Sequence, residues 1–228
     1  MPRVLLEIAA FDPASALAAT DAGADRIELC RGAEVGGLTP PLDWVREVTA
    51  ATEVPVVAMV RAHADGWTFT PAEHAAMRDD ARALVEAGAV GVVWGALRAD
   101  GTVDADALAA LVAAVAPHPV AVHRAFGAAR DAREALAAVR AAGAARVLTS
   151  GGAATAHEGL DVLAALARAA GDTVSVMPGG GVRAGNVAEI VRRTGAREVH
   201  SAASAPGTPT VDADEVRRLR GRLDALVG

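Results

Sequence analysis

The sequence predicts one parallel (β/α)8 barrel of the TIM class, and three observations carry that expectation. First, 228 residues is a normal length for a single barrel. Second, a unit recurs in which an Ala-rich helix closes on Gly-Ala or a near variant and an apolar strand follows at once. It reads "DAGADRIELC" at 21–30, "EAGAVGVVWGAL" at 86–97, "AAGAARVLTSGG" at 141–152 and "RTGAREVHSA" at 193–202. Third, eight strand-like and eight helix-like segments alternate through short links. An open doubly wound sheet would instead carry a GxGxxG turn after its first strand, and none is present. No linker or low-complexity stretch interrupts residues 1–228, so a single domain is expected.

The elements follow in chain order. Strands are expected at 3–10, within the four recurrent units, and at 53–61, 118–126 and 172–181. Helices are expected at 13–22, 41–51, 71–87, 105–116, 132–142, 159–170, 183–194 and 212–227, each with apolar residues at helical spacing. Pro13, Pro41 and Pro71 stand near first turns, where proline is tolerated. Gly23, Gly88, Gly143 and Gly195 stand where a left-handed residue ends a helix.

Barrel sites form at the carboxyl ends of the strands. The polar residues falling there are Glu7, Glu28 with Cys30, Arg61, His123 with Arg124, Thr149 with Ser150, and His200. Alternation along the strands settles which way the acids face. In the first strand Val4, Leu6 and Ile8 form the outer set, and in the second Ile27 and Leu29 do, so Glu7 and Glu28 point into the barrel, Glu28 with Arg26 and Cys30. An inward carboxylate is costly unless paired, and Arg61 and Arg124 are the expected partners. Glu7, Glu28 and His123 are the candidate acid–base groups. Arg61 and Arg124 are candidate anion holders, with Thr149, Ser150 and His200 as further binding donors. The run "MPGGGVRAGNV" at 177–187 offers Gly180 and Gly181 ahead of a helix, a backbone suited to an anion.

Composition excludes several classes. The net charge of −6 leaves no basic surface for nucleic acid. No apolar run is long enough for a membrane span, and the N-terminal stretch does not read as a signal peptide. A lone Cys30 forms no internal disulfide, so a reducing cytoplasm is expected. All 22 basic residues are Arg, so Schiff-base chemistry, which needs a Lys amine, is excluded. No CxxC or HExxH spacing marks a metal site, although His123, Glu7 and Glu28 could approach a divalent ion.

The blocks "LLEIAAFDPASALAATDAGADRIELCRGAEVGGLTP", "HRAF", "RVLTSGGAATA" and "MPGGGVRAGNV" resemble the CutC family, long called copper-homeostasis proteins, over nearly the whole chain. The resemblance implies a cytoplasmic barrel, commonly a homodimer or higher oligomer, linked to copper, with Cys30 as the metal ligand. Members of that family often carry a second Cys two residues after the first-strand Glu; here that position is Ala9. One thiol is a poor Cu(I) site unless Met177 or another sulfur joins it. The residues themselves suit a pocket for a small anionic molecule, acted on by an isomerase or lyase or simply bound.

Overall fold

The computed structural model describes residues 3–205 and 207–227. Eight parallel strands run β1 Leu5–Ala10, β2 Arg26–Leu29, β3 Val56–Met59, β4 Gly91–Trp94, β5 Val120–Val122, β6 Arg146–Thr149, β7 Ser175–Pro178 and β8 Glu198–Ser201. Eight helices alternate with them: α1 Pro13–Asp21, α2 Leu42–Ala51, α3 Pro71–Glu86, α4 Ala105–Val115, α5 Ala132–Ala141, α6 Leu160–Ala170, α7 Val187–Thr194 and α8 Ala213–Asp224. The ladder runs from β7 down through β1 to β8, and β7 and β8 lie side by side to close a (β/α)8 barrel.

The local signals explain the elements. Pro13 and Pro71 open α1 and α3, where Asp12 and Thr70 accept from backbone N–H groups of the first turn. Gly23, Gly88, Gly143 and Gly195 all take positive φ after helix ends. Among the helices the boundary that moves furthest is the start of α7, at Val187 rather than 183, because Arg183 to Asn186 form a turn, with Asn186 Oδ1 accepting from Arg183 N. β5 is also shorter than expected: at His123 the chain leaves the ladder for a short 3-10 turn, Arg124–Ala128.

Strand alternation divides the core. The outer faces (Leu6, Ile8, Ile27, Leu29, Val56, Val92, Val122, Val147, Val199) join the helices in one large apolar layer. Inside the barrel a small apolar plug holds Cys30, Val57, Met59, Val93 and Ala121, with Phe11 against it. Other interior positions carry charge: Glu7, Arg26, Glu28, Glu198 and His200 lie among uncharged neighbours such as Ala9, Leu148 and Met177.

Candidate functional site

A line of buried polar side chains climbs the barrel interior. Arg26 Nε donates to Glu7 Oε2, and its Nη2 donates to Glu198 Oε2 and lies 3.5 Å from Met177 Sδ. Glu198 Oε1 also accepts from Arg146 Nε at 3.4 Å. Above Arg26, Glu7 Oε1 lies 2.7 Å from His200 Nδ1, and His200 Nε2 lies 3.5 Å from Glu28 Oε2. Ladder register produces the contacts: Glu7 is the direct neighbour of Arg26 on β2 and of His200 on β8. The partner of Glu7 is therefore Arg26, not Arg61 or Arg124. Arg26 shares the inward face with Glu28, and Glu198 shares it with His200, so alternation already carried this signal.

The members of the line titrate differently. Burial pushes the Glu7 carboxyl up, but the His200 hydrogen bond and the Arg26 charge outweigh it and bring it to about 2. Glu28 has no guanidinium in contact, and burial, aided by the charge of Glu7, pushes it up to about 7 against the pull of His200. His200 is raised: burial opposes the imidazolium, but Glu28 and Glu7 together favour it. Glu28 Oε1 is buried without a hydrogen-bond partner among the described residues. Glu28, raised to about 7, and His200, also raised, thus form a proton-holding pair anchored below by a fixed ion pair.

Two adjoining cavities open at the carboxyl end. The larger, about 590 Å³, is lined by Glu28, Cys30, Met59, His123, Gly180 and His200 among others. The second, about 350 Å³, is lined by Arg61, Gly127, Thr149, Ser150, Gly152 and Ala153. Gly36, Trp67 and Arg124 stand in the walls of both. Both volumes are in the range that holds small molecules.

The expected residues gather there unequally. Glu7 is sealed beneath His200, one layer below the cavity wall. Arg61 is committed to structure: its Nη atoms donate to the carbonyls of Val35, Gly37 and Ala64, which pins the β2–α2 loop. Its guanidinium carbon stands 4.3 Å from the Trp67 ring centroid, and among the described residues its Nε has no partner. Arg124 is exposed at the rim. Thr149 Oγ1 accepts from Gly151 N, and Ser150 Oγ donates to the Ala153 carbonyl, so both hydroxyls already hold their own loop. In the glycine run the carbonyls of Gly180, Gly181 and Val182 accept from Ala156 N, Asn186 Nδ2 and Ser201 Oγ. Among the described residues nothing accepts from the N–H groups of those three residues, and Gly180 and Gly181 line the larger cavity. Trp67 had no signal in the sequence, because it sits in the irregular β3–α3 loop.

His123 is held from three sides. Its Nδ1 accepts from Ala125 N at 3.1 Å, Trp67 packs 4.8 Å from its ring, and Gly95 leaves it room. Burial, then the charge of Arg61, push it down to about 3. It does not join Glu7 and Glu28; the group whose ligand atoms lie within 4.8 Å of one another is Glu7, Glu28 and His200. There both imidazole nitrogens already face carboxylates, and Arg26 supplies the countercharge.

Cys30 is buried and free. Burial, with Glu28 and Glu7 adding, pushes its thiol well above the usual range, so no guanidinium activates it. The sulfur beside it is Met59, which packs in the same plug, while Met177 lies down at Arg26. One protonated thiol and one thioether do not fit a tight Cu(I) centre.

A family model described as the CutC family matches residues 4–205. A CutC family protein of Xanthomonas campestris pv. campestris (strain B100) is 43% identical over 208 residues, covering 91% of this chain and 87% of the relative. One of Sinorhizobium medicae (strain WSM419) is 38% identical, covering 99% and 98%. A crystal structure provisionally described as the copper homeostasis protein CutC from Streptococcus agalactiae superposes with a TM-score of 0.82 at 26% identity, over 87% of this chain and 98% of that one. Phosphoribosyl anthranilate isomerase from Thermotoga maritima shares the fold alone, at a TM-score of 0.67 and 13% identity, over 97% and 99%. With the model match over most of its length and such relatives, the chain belongs to the CutC family.

Proposed function

We propose that the chain binds a small anionic metabolite at the carboxyl mouth of its barrel, where Glu28 and His200 move a proton on it. The observation that carries this is Glu28 Oε1: buried, unpartnered, on a residue that lines the larger cavity, and belonging to a carboxyl held to about 7. A buried oxygen without a donor is costly, and a bound ligand supplies the missing partner. Arg26 and Glu7 keep the pair in place from below. The free N–H groups at Gly180, Gly181 and Val182, with Arg124 at the rim, favour negative charge on the ligand. Isomerisation or lysis is the reaction class that a single shuttling carboxyl serves.

The test is mass-spectrometric identification of small molecules retained by natively purified protein, wild type against Glu28→Gln. A carboxylate or phosphate ester retained by the wild type supports the reading. An empty wild-type mouth that no anionic metabolite stabilises in a thermal-shift panel would sink it.

A second reading, copper handling in the cytoplasm, has Cys30 and Met59 side by side in one plug as its supporting observation. Homodimerisation, implied by the family resemblance, belongs with this proposal and is checked by light scattering.

A further inference from the structure

We infer that His123 is a permanently uncharged donor whose Nε2–H holds a carbonyl oxygen of the bound molecule, so that the ligand is a small anion carrying a carbonyl group. The inference rests on the reading of the mouth as an acid–base site and adds the substrate class to it.

The tautomer follows from one hydrogen bond. Ala125 N–H can only donate, so His123 Nδ1 accepts and carries no proton. In the neutral ring the proton then sits on Nε2. That atom is buried and has no acceptor among the described residues. A fold that buries an N–H without an acceptor leaves a partner to be supplied from outside. Burial and the neighbouring Arg61 charge keep the second proton off, down to about 3. The ring is also built in: a Cβ on Gly95 would lie 2.8 Å from His123 Nδ1 and Cε1, and Trp67 covers the ring at 4.8 Å.

The complementary group is an oxygen acceptor, because Nε2–H offers a donor and no charge. Beside the two cavities three buried polar atoms lack partners among the described residues: Glu28 Oε1, His123 Nε2 and Arg61 Nε. One is an acid–base oxygen and two are donors. A carbonyl compound with an acidic neighbouring C–H meets the first two, and an anionic tail meets the N–H groups at Gly180, Gly181 and Val182. Glu28 as carboxylate takes the proton from the carbon beside the carbonyl. The C–H pair becomes the C=C bond, and the carbonyl π pair moves to oxygen, where His123 Nε2–H stabilises the enolate. Glu28 then returns the proton to carbon, so the step needs no oxidant or other reactant. An imidazolium would protonate the oxygen outright; a neutral imidazole holds it through a hydrogen bond.

The test uses protein labelled with 15N-histidine, with 2-phosphoglycolate as the enolate-like probe. In the free protein, His123 is expected to show the neutral Nε2–H pattern unchanged from pH 5 to pH 8. Probe binding should shift that N–H signal, and His123→Leu should weaken binding about tenfold or more. His123→Gln, which keeps a donor, should retain most of it. A ring that titrates within that range, a proton on Nδ1, or equal binding by wild type and His123→Leu would overturn the inference. If His123→Leu does not fold, the tautomer and the shift in the wild type decide. A natively retained anion that has no carbonyl and leaves the Nε2–H signal unmoved would leave the acid–base mouth standing and remove this inference alone.

Discussion

Nε2 of His200 stands 3.5 Å from Glu28 Oε2, while the other Glu28 oxygen has no partner among the described residues. The imidazole faces one oxygen and leaves its twin toward the cavity that Glu28 lines. The consequence is a carboxyl that titrates where the cell operates, with a measurable signature in stability.

Folding raises Glu28 from the ordinary 4.5 to about 7, so between those values the native state holds a proton that the unfolded chain has lost. Stability therefore falls as pH rises through that window, with a limiting slope of about 1.4 kcal/mol per pH unit for one proton. His200, also raised, adds loss in the same direction above its unfolded value. Glu7, lowered to about 2, contributes stability present above 4.5 and lost as pH falls from there. Urea unfolding of wild type from pH 5 to pH 7 should show the decline, and Glu28→Gln should flatten it. An equally steep decline in the variant would mean that Glu28 is ionised throughout.

Arg26→Met should be severely destabilising. It leaves the Glu7 and Glu198 carboxylates buried without their shared guanidinium, a loss of about 3–5 kcal/mol. Arg26→Lys should recover only part, because one ammonium cannot serve two acids as a fork does. Arg124→Ala, at the exposed rim, should change unfolding by less than about 0.5 kcal/mol. Chemical denaturation of the three variants checks the order.

Wild-type protein should bind Cu(I) weakly in competition with a chromogenic chelator, and Cys30→Ser should change little. Burial and two carboxylates push the thiol up, and Met59 is the second soft donor packed with it among the described residues. Ala9 and Cys30 both line the larger cavity, so Ala9→Cys should tighten binding sharply. Stoichiometric tight binding by the wild type that disappears in Cys30→Ser would return copper to the centre of the function.

Phosphate soaked into crystals should settle at Gly180, Gly181 and Val182, whose N–H groups have no acceptor among the described residues. Gly180 and Gly181 hold φ at 96° and 69°, so Gly181→Ala strains the turn and should weaken phosphate binding in calorimetry. Phosphate seated only at Arg124 would move the anion subsite from the glycine run to the rim shared by the two cavities.

Much of this was legible in the sequence, and the reasons are local. Strand alternation alone turned Glu7 and Glu28 inward, and Gly23 to Gly195 marked the helix ends. Pairing was less legible, because it depends on ladder register across strands distant in sequence. Arg26 meets Glu198 over 172 positions, and no spacing rule reports that. Arg61 looked like a free anion holder because nothing in "MVRAHADGW" reveals that the β2–α2 loop aims two carbonyls at it. Nor does the sequence show why a glycine stands at 37. Gly37 takes φ 100°, and a Cβ there would come within 3.2 Å of Met59 Cε and 3.3 Å of Cys30 Sγ.

The Arg26–Glu198 contact also orders events in time. It joins the second strand to the last, so a chain lacking β8 has a barrel interior in which Arg26 misses one of its two acids and Glu7 misses His200. Closing the ring around that partial set buries unbalanced charge, which penalises early collapse. Contacts of such long sequence separation form late, because loop closure precedes their reward. The proton-holding pair at the mouth is therefore completed by the same step that completes the barrel. A partly folded chain lacks the Glu28–His200 contact, and its appearance during refolding reports arrival of the final strand.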